Sequence, residues 1–449
     1  MTEQQADKET FDWERTYAYS VGMQAYVFGF PWVYFSELRH QWVVVEHDPE
    51  TTPYAPLNYF WHARNLINAD YTDGGSPNND TLYSIAWVDL RQGPVVLSVP
   101  AVVNRYFTME IAGMDSDNFA YVGTRTTGEV AGNYAIIGPD WHGTLPDGVA
   151  PLPQAHTPFA LIVGRTLIDG KLDLDAVRAL QDQYLLRPLS LWGTSAEVPI
   201  DRDVPKPFSR NDDPLADWKT MNRAMSESPP GHRLDPLLAQ FAEVHVGPWQ
   251  DVELASEATK AGLAQAASDA RLMLDHASGA LGTTINGWTF PPLTIGRAGA
   301  HDDFLVRASP QCMGGIVYND LEEAVYPYAY RDAEGEPLSG AYRYTLEFSE
   351  ADLPPVKDGG FWSVTLYANY NLVHNPINRY SIGNRTAGLN WVDGGLTIYI
   401  QHDRPTDPVQ LRNWLPAPVG TFDLKMRCYL PAPEIFNQVW KPPGLTRQA

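Results

Sequence analysis

The stretch Ser76-Pro-Asn-Asn-Asp-Thr-Leu-Tyr-Ser-Ile-Ala-Trp-Val-Asp89 joins a polar turn directly to a strand. Pro77 fixes φ and biases Ser76 toward an extended backbone, while Asn78, Asn79 and Asp80 are able to fold their side chains onto nearby backbone N–H groups. Beyond the turn, Tyr83, Ile85 and Trp87 point to one face and Leu82, Ser84, Ala86 and Val88 to the other. Both faces are largely apolar, so the strand is expected to be covered on both sides. A rigid polar loop feeding a buried strand holds an amide, a carboxylate and a phenol in fixed positions, and Asp80 and Tyr83 are the first candidates for chemistry. The bland alternative is that Asn78 to Asp80 make a satisfied turn.

Strand signals recur downstream at short intervals, at Pro94 to Val99, Tyr106 to Ala112, Ala120 to Gly123, Tyr134 to Gly138 and Phe159 to Gly164. Short turns between them predict antiparallel pairing, because a parallel step needs a crossover of a dozen or more residues. Upstream, Phe11 to about His40 reads as helix, with a break expected at Gly29-Phe30-Pro31. From Asp173 the period becomes helical, with a stop near Arg187-Pro188, and a second long helix is expected over about Ser256 to Leu281 with Gly282 as its stop. After Trp288 clean alternation returns. Leu346 and Phe348, Trp362 and Val364, Leu396 and Ile398, and Leu424, Met426 and Cys428 each mark a strand with one face in a core and one toward water. The expected fold is mainly β with helical segments: an N-terminal antiparallel β domain with a helical cap over residues 1–172, a helical connector over 173–287, and a C-terminal β-sandwich or jelly roll over 288–449.

The 449 residues are enough for two or more cores, and 44% hydrophobic content describes a globular chain. A formal net charge of −22 disfavours nucleic acid and anionic lipid as partners, so a small-molecule substrate is the expected one. No apolar run reaches the roughly 18 residues of a membrane helix, the N-terminus lacks an export pattern, and two cysteines, Cys312 and Cys428, make no disulfide framework. A cytoplasmic protein with two free thiols is expected.

The chain has no nucleophile elbow, phosphate-binding glycine loop, dinucleotide fingerprint, His-Glu-x-x-His helix or Cys-x-x-Cys pair, so no cofactor is expected. A metal would have to use scattered groups such as His62, His374, His402 and Asp403, and His402-Asp403 point to opposite faces of a strand. A second constellation, His374-Asn-Pro-Ile-Asn-Arg-Tyr380, offers amide, guanidinium and phenol donors in a short arc. Its bland alternative is a loop tied by Arg379 and capped by asparagines. In the enzyme reading, Asp80 is general base, Tyr83 is general acid or oxyanion donor, and Arg379 anchors substrate charge in a cleft between the two β domains. Asn79, Trp87, Trp61, His62, Arg125, Asn375, Asn378, Tyr380 and His402 are the candidate substrate contacts. Metal-independent hydrolysis is the favoured reaction, with elimination or isomerisation open to the same groups and a non-catalytic glycan or aromatic-ligand binder as the rival.

Ser76 to Leu90, Gly123-Thr-Arg-Thr-Thr-Gly128 and Tyr134-Ala-Ile-Ile-Gly-Pro-Asp-Trp-His-Gly-Thr-Leu-Pro146 together resemble the bacterial domain of unknown function 1254. Tyr342 to Trp440, with Asn375-Pro-Ile-Asn-Arg-Tyr380, Ile398-Tyr-Ile-Gln-His-Asp403, Asn413-Trp-Leu-Pro-Ala-Pro418 and Trp440-Lys-Pro-Pro443, resembles its tandem partner, domain of unknown function 1214. The resemblance implies two mainly β domains joined by helices, often assembled as homo-oligomers, with no settled reaction. This chain departs from the family pattern by carrying Asn384 after Arg379-Tyr380 and Ala368-Asn369 after the strand tyrosine. An amide cannot act as a base at neutral pH, which removes that role from both positions.

Overall fold

The computed structural model describes residues 11–71 and 75–448. The first unit is built from β1 (Trp61–His62), β2 (Thr81–Asp89), β3 (Val95–Val99), β4 (Phe107–Gly113), β5 (Asn118–Gly123), β6 (Gly132–Ile136), β7 (Ala150–Pro151), β8 (Phe159–Leu167) and β9 (Leu185–Pro188). One sheet runs β1-β2-β8-β4-β5 and the other β7-β6-β3-β9, antiparallel throughout except for β6 with β7. The strands expected between Thr81 and Gly164 all form. As β2's alternation predicts, both of its faces are covered. Ala86 and Val88 enter the core between the two sheets, while Ile85 and Trp87 pack against helices.

The longer helices are α1 (Trp13–Val43), α2 (Leu174–Gln181), α3 (Ala216–Glu227), α4 (Asp235–Ala242), α5 (Glu257–Ser278) and α6 (Phe304–Cys312); all but α2 join a layer over the first sheet, while α2 packs Val177 against Leu82 on the other face of β2. Three expectations are corrected here. First, α1 runs unbroken through Pro31. A proline inside a helix costs about 3 kcal/mol, but Phe28, Phe30, Trp32, Val33 and Phe35 around it are buried, at roughly 1.5–3 kcal/mol each. Arg307 of α6 also donates to the Phe28 carbonyl in that turn. Second, the helix beginning at Leu174 ends at Gln181, and Arg187-Pro188 lies in β9, which completes the sheet beside β3. Third, α5 ends at Ser278 with Gly279 as its cap, and Gly282 takes φ +110° at the entry to the next strand.

The second unit comprises β10 (Thr283–Ile285), β11 (Trp288–Phe290), β12 (Ala324–Val325), β13 (Tyr328–Ala329), β14 (Arg343–Phe348), β15 (Val356–Ala368), β16 (Asn371–Leu372), β17 (Ser381–Gly383), β18 (Leu396–Gln401), β19 (Trp414–Pro416), β20 (Asp423–Pro431) and β21 (Thr446–Gln448). A large sheet with β13-β20-β15 at its centre faces a smaller one ordered β19-β18-β14-β21. Leu346, Val364, Ile398, Leu424 and Met426 fill the core between them, as the alternation predicts. The opposite face of the large sheet does not meet water. Ser363, Thr365 and Tyr367 of β15 and Arg427 and Tyr429 of β20 are all buried, because the first unit docks on them.

Among the described residues no helix is long and apolar enough to cross a membrane, and Cys312 and Cys428 are free thiols. The helical layer is held by close approach. A Cβ placed on Gly262 of α5 would sit 2.4 Å from the Arg15 carbonyl of α1, and one on Gly22 would sit 2.8 Å from Ala266. Gly262→Val therefore forces the two helices apart, at about 1–3 kcal/mol of overpacking. Thermal unfolding should start at a lower temperature in the variant, and an unchanged midpoint would contradict this packing.

Candidate functional site

The polar turn ahead of β2 folds on itself as its residues predict. Asn78 Oδ1 accepts from the backbone N–H groups of Asp80 at 3.0 Å and Thr81 at 2.9 Å. Its outward groups then engage the second unit. Arg427 donates to the Ser76 carbonyl at 2.8 Å, Tyr367 donates to the Pro77 carbonyl at 2.6 Å, and Ser363 donates to Asp80 Oδ2 at 2.7 Å. Ser76 is not extended, as Pro77 alone would make it, but left-handed at φ +48°. This conformation costs a non-glycine residue about 1–3 kcal/mol. Bonds at both ends of the residue hold it there, its N–H donating to Tyr370 at 2.9 Å and its carbonyl accepting from Arg427.

Beside this joint lies a cavity of about 190 Å³. One side carries Tyr83 and Arg165 of the first unit, and another carries Lys425, Arg427 and Tyr429 from the outward row of β20. Three cations line it, and no carboxylate does among the described residues. Arg165 is paired at 2.7 Å with the fully buried Glu110. Burial alone would lower Arg165, but Glu110 outweighs it and holds the guanidinium well above its usual range. Burial also opposes the charge on Arg427, and Tyr367, Tyr429 and Asp80 outweigh it. Lys425 differs. It makes no hydrogen bond or ion pair among the described residues, and burial followed by Arg427 pushes its amine down to about 8. Tyr83, Tyr318, Tyr326, Tyr328 and Tyr429 line the same space. Tyr83 accepts from Asn78 at 2.9 Å, Tyr326 accepts from Asn319 at 2.9 Å, and the buried Tyr429 hydroxyl has no hydrogen-bond partner among the described residues.

The expected site residues divide on this geometry. Tyr83 lines the cavity. Asp80 sits behind the wall as a tie to Ser363; burial pushes its carboxyl up, and the serine and Arg427 pull it back. Arg379 does not converge with Asp80 on a cleft. It donates to the carbonyls of Arg412 at 2.7 Å and Trp414 at 3.0 Å, holding its own loop. Asn375 caps that loop by accepting from the Arg379 N–H, Asn378 sits at φ +49°, and Tyr380 packs with Tyr367 and Leu372. Asn79 donates to the Ile67 carbonyl at 2.5 Å. Trp87 is core against Phe35, and Trp61 donates to the Pro49 carbonyl at 2.8 Å. His62 is bound to Ser84 at 2.9 Å and driven down to about 4, mainly by burial. Arg125 pairs with Glu323 at 2.6 Å, and His402 meets the Ala417 carbonyl at 3.1 Å. No His, Cys, Asp or Glu cluster suited to a metal occurs among the described residues.

Sequence reasoning missed Lys425, Arg427, Tyr429, Arg165 and Tyr326. A signal existed in β20, whose outward row is Asp423-Lys425-Arg427-Tyr429. A row of this kind looks like a solvated face until another domain covers it. Asp423 begins the row, 5% exposed, with one carboxylate oxygen unpartnered among the described residues. Burial raises its pKa to about 6, while Lys425 and Arg427 pull it down. A carboxyl raised in the folded state is protonated there while the unfolded chain ionises, so stability falls as pH rises from about 4 to about 6. Asp423→Asn should flatten that fall by up to about 1.4 kcal/mol per pH unit in denaturant titrations, and an identical slope would exclude Asp423 as its source.

The VPA0106 protein from Vibrio parahaemolyticus has a crystal structure similar to this chain, with a TM-score of 0.74, 23% identity, and coverage of 96% of this chain and 100% of that one; the likeness speaks to fold alone. An uncharacterized protein from Burkholderia cenocepacia matches at 15% identity over 94% of this chain and 87% of its own, with a TM-score of 0.43. No curated protein matches the chain. Residues 57–188 match the family described as protein of unknown function DUF1254, and residues 323–433 match protein of unknown function DUF1214. The chain is therefore a DUF1254–DUF1214 tandem, whose two members meet at the joint between the Ser76–Asp80 turn and the outer face of β15 and β20.

Proposed function

We propose that this protein is a small-molecule enzyme working in the cavity between its two β units by metal-independent acid–base chemistry, with hydrolysis as the first reaction class. The observation that carries the reading is Lys425, an amine with no hydrogen-bond or ion-pair partner among the described residues, lying 5.8 Å from the Tyr367 ring in a cavity that already holds two other cations. An amine held near 8 is partly neutral at physiological pH and close to the best value for a general base there. Tyr83 and Tyr326 each accept from an asparagine, which leaves the phenol proton free for an oxyanion. Arg427 and Arg165 stand as anchors for substrate charge. Lyase or isomerase chemistry would draw on the same base, donors and anchors.

In this reading Asp80, the base expected from the sequence, acts as a structural tie. The tyrosine-rich wall also suits the second reading, a non-catalytic binder of an aromatic ligand. A hydrolase-weighted substrate screen over a pH series separates them. The expected result is a kcat/KM that rises with pH to a plateau through an apparent value near 8, as the Lys425 amine loses its proton. Lys425→Met should lower it about a hundredfold to ten-thousandfold, with Asp80→Asn within about tenfold of wild type. Full activity in Lys425→Met would overturn the proposal, and ligand binding without turnover would favour the binder.

A further inference from the structure

The cavity wall is rich in hydrogen-bond donors and poor in acceptors, and this imbalance is graded along its length. Alternate residues on a strand lie about 7 Å apart, so Lys425, Arg427 and Tyr429 extend over about 13 Å. At the Tyr429 end the groups are interlocked. The Arg427 guanidinium is 5.7 Å from the Tyr326 ring, and Tyr326 is 5.8 Å from Tyr429. Across from them Arg165 is 5.7 Å from the Tyr83 ring and shares Asn319 with Tyr326. This end holds two guanidiniums and three hydroxyls with protons to give. At the other end, Lys425 pairs in register with Tyr328 and shares the Tyr367 ring with Arg427, at 5.8 Å and 5.5 Å from its centre. Much of the remaining lining is apolar, including Pro291, Pro292, Ile295, Val306, Pro310 and Val317.

We infer that the ligand of this cavity is a small organic carboxylate with a compact apolar body, its carboxylate lying at the Arg165–Arg427–tyrosine end and its body running along the proline wall toward Lys425. The inference rests on the enzyme reading above for its chemistry but not for its binding. A donor-only end calls for a group that only accepts, and an anion gains most from it because charge-assisted hydrogen bonds are the stronger ones. A phosphate monoester would meet the same donors. However, its additional charge and oxygens would call for donors beyond this end, where the rest of the lining is largely apolar, so the carboxylate is the better match. Size narrows the body. A dry cavity of about 150 Å³ accepts benzene, so about 190 Å³ takes one substituted ring or a chain of similar bulk. The overall charge of −22 does not oppose this, since the wall presents three cations while Glu110 and Asp80, which offset the arginines, sit behind it and do not line the cavity.

Calorimetric titration of the whole protein with benzoate, phenylacetate and 3-phenylpropanoate, beside the amides of the same three skeletons and phenyl phosphate, tests the assignment. At least one carboxylate should bind, with its amide roughly tenfold to a hundredfold weaker. Tyr83→Phe and Tyr429→Phe, which remove only a hydroxyl, should each weaken the carboxylate and leave the amide nearly unchanged. Lys425→Met should retain carboxylate binding. Amides binding as well as carboxylates, phenyl phosphate binding tightest, no binding by any of the series, or indifference to both tyrosine variants would each overturn the inference. Carboxylate binding without turnover in any assay would defeat the enzyme reading and leave this one standing. Turnover of neutral substrates with no carboxylate binding would do the reverse.

Discussion

The Arg427 guanidinium is the interaction on which the rest depends. It is buried on β20 of the second unit, donates to Thr365 on the neighbouring strand at 3.1 Å, and donates to the Ser76 carbonyl of the first unit at 2.8 Å. One side chain thus braces its own sheet and draws the other unit's turn onto it. A buried cation is tolerable only when its donors are satisfied and its charge is offset. Thr365 and Ser76 accept from Arg427, and Asp80, held by Ser363 just behind the wall, together with the tyrosines around it, offsets its charge.

Closing the joint in this way creates the cavity as a by-product of docking. Each unit brings part of the wall, so neither has the cavity alone. The first unit supplies Tyr83 and Arg165, with Glu110 buried behind to keep the arginine charged. The second supplies the row of β20. The same docking strips water from Lys425, and this burial, with Arg427 two residues along the strand, pushes its amine down. The chemistry proposed for the site is therefore a consequence of domain contact rather than of a local motif.

Local physics was legible wherever local physics decides. The alternation around Ile85 and Trp87, the amide-rich turn and the core rows of β14, β18 and β20 follow from side-chain period and turn chemistry, which neighbours in sequence determine. Local expectation failed at Ser76, Pro31 and Arg187-Pro188, and each time a tertiary partner outweighed it. Arg427 and Tyr370 hold Ser76 left-handed, burial of Phe28 to Phe35 carries α1 through its proline, and β3 recruits the chain at β9. Asp80 and Arg379 illustrate the same limit at the site. Their loops are tied by asparagine-to-backbone hydrogen bonds, and such a loop serves a structural tie as well as a catalyst.

By itself, then, the sequence determined the tandem family, the β-rich class with its helical segments and the course of most strands, and it singled out Tyr83, which lines the cavity. These are matters of pattern within single elements or of motif. Only the tertiary structure decided which polar row meets water and which meets another domain. A strand's alternation specifies two faces but names the neighbour of neither, so Lys425, Arg427 and Tyr429 line a cavity only because the Ser76–Asp80 turn closes over them.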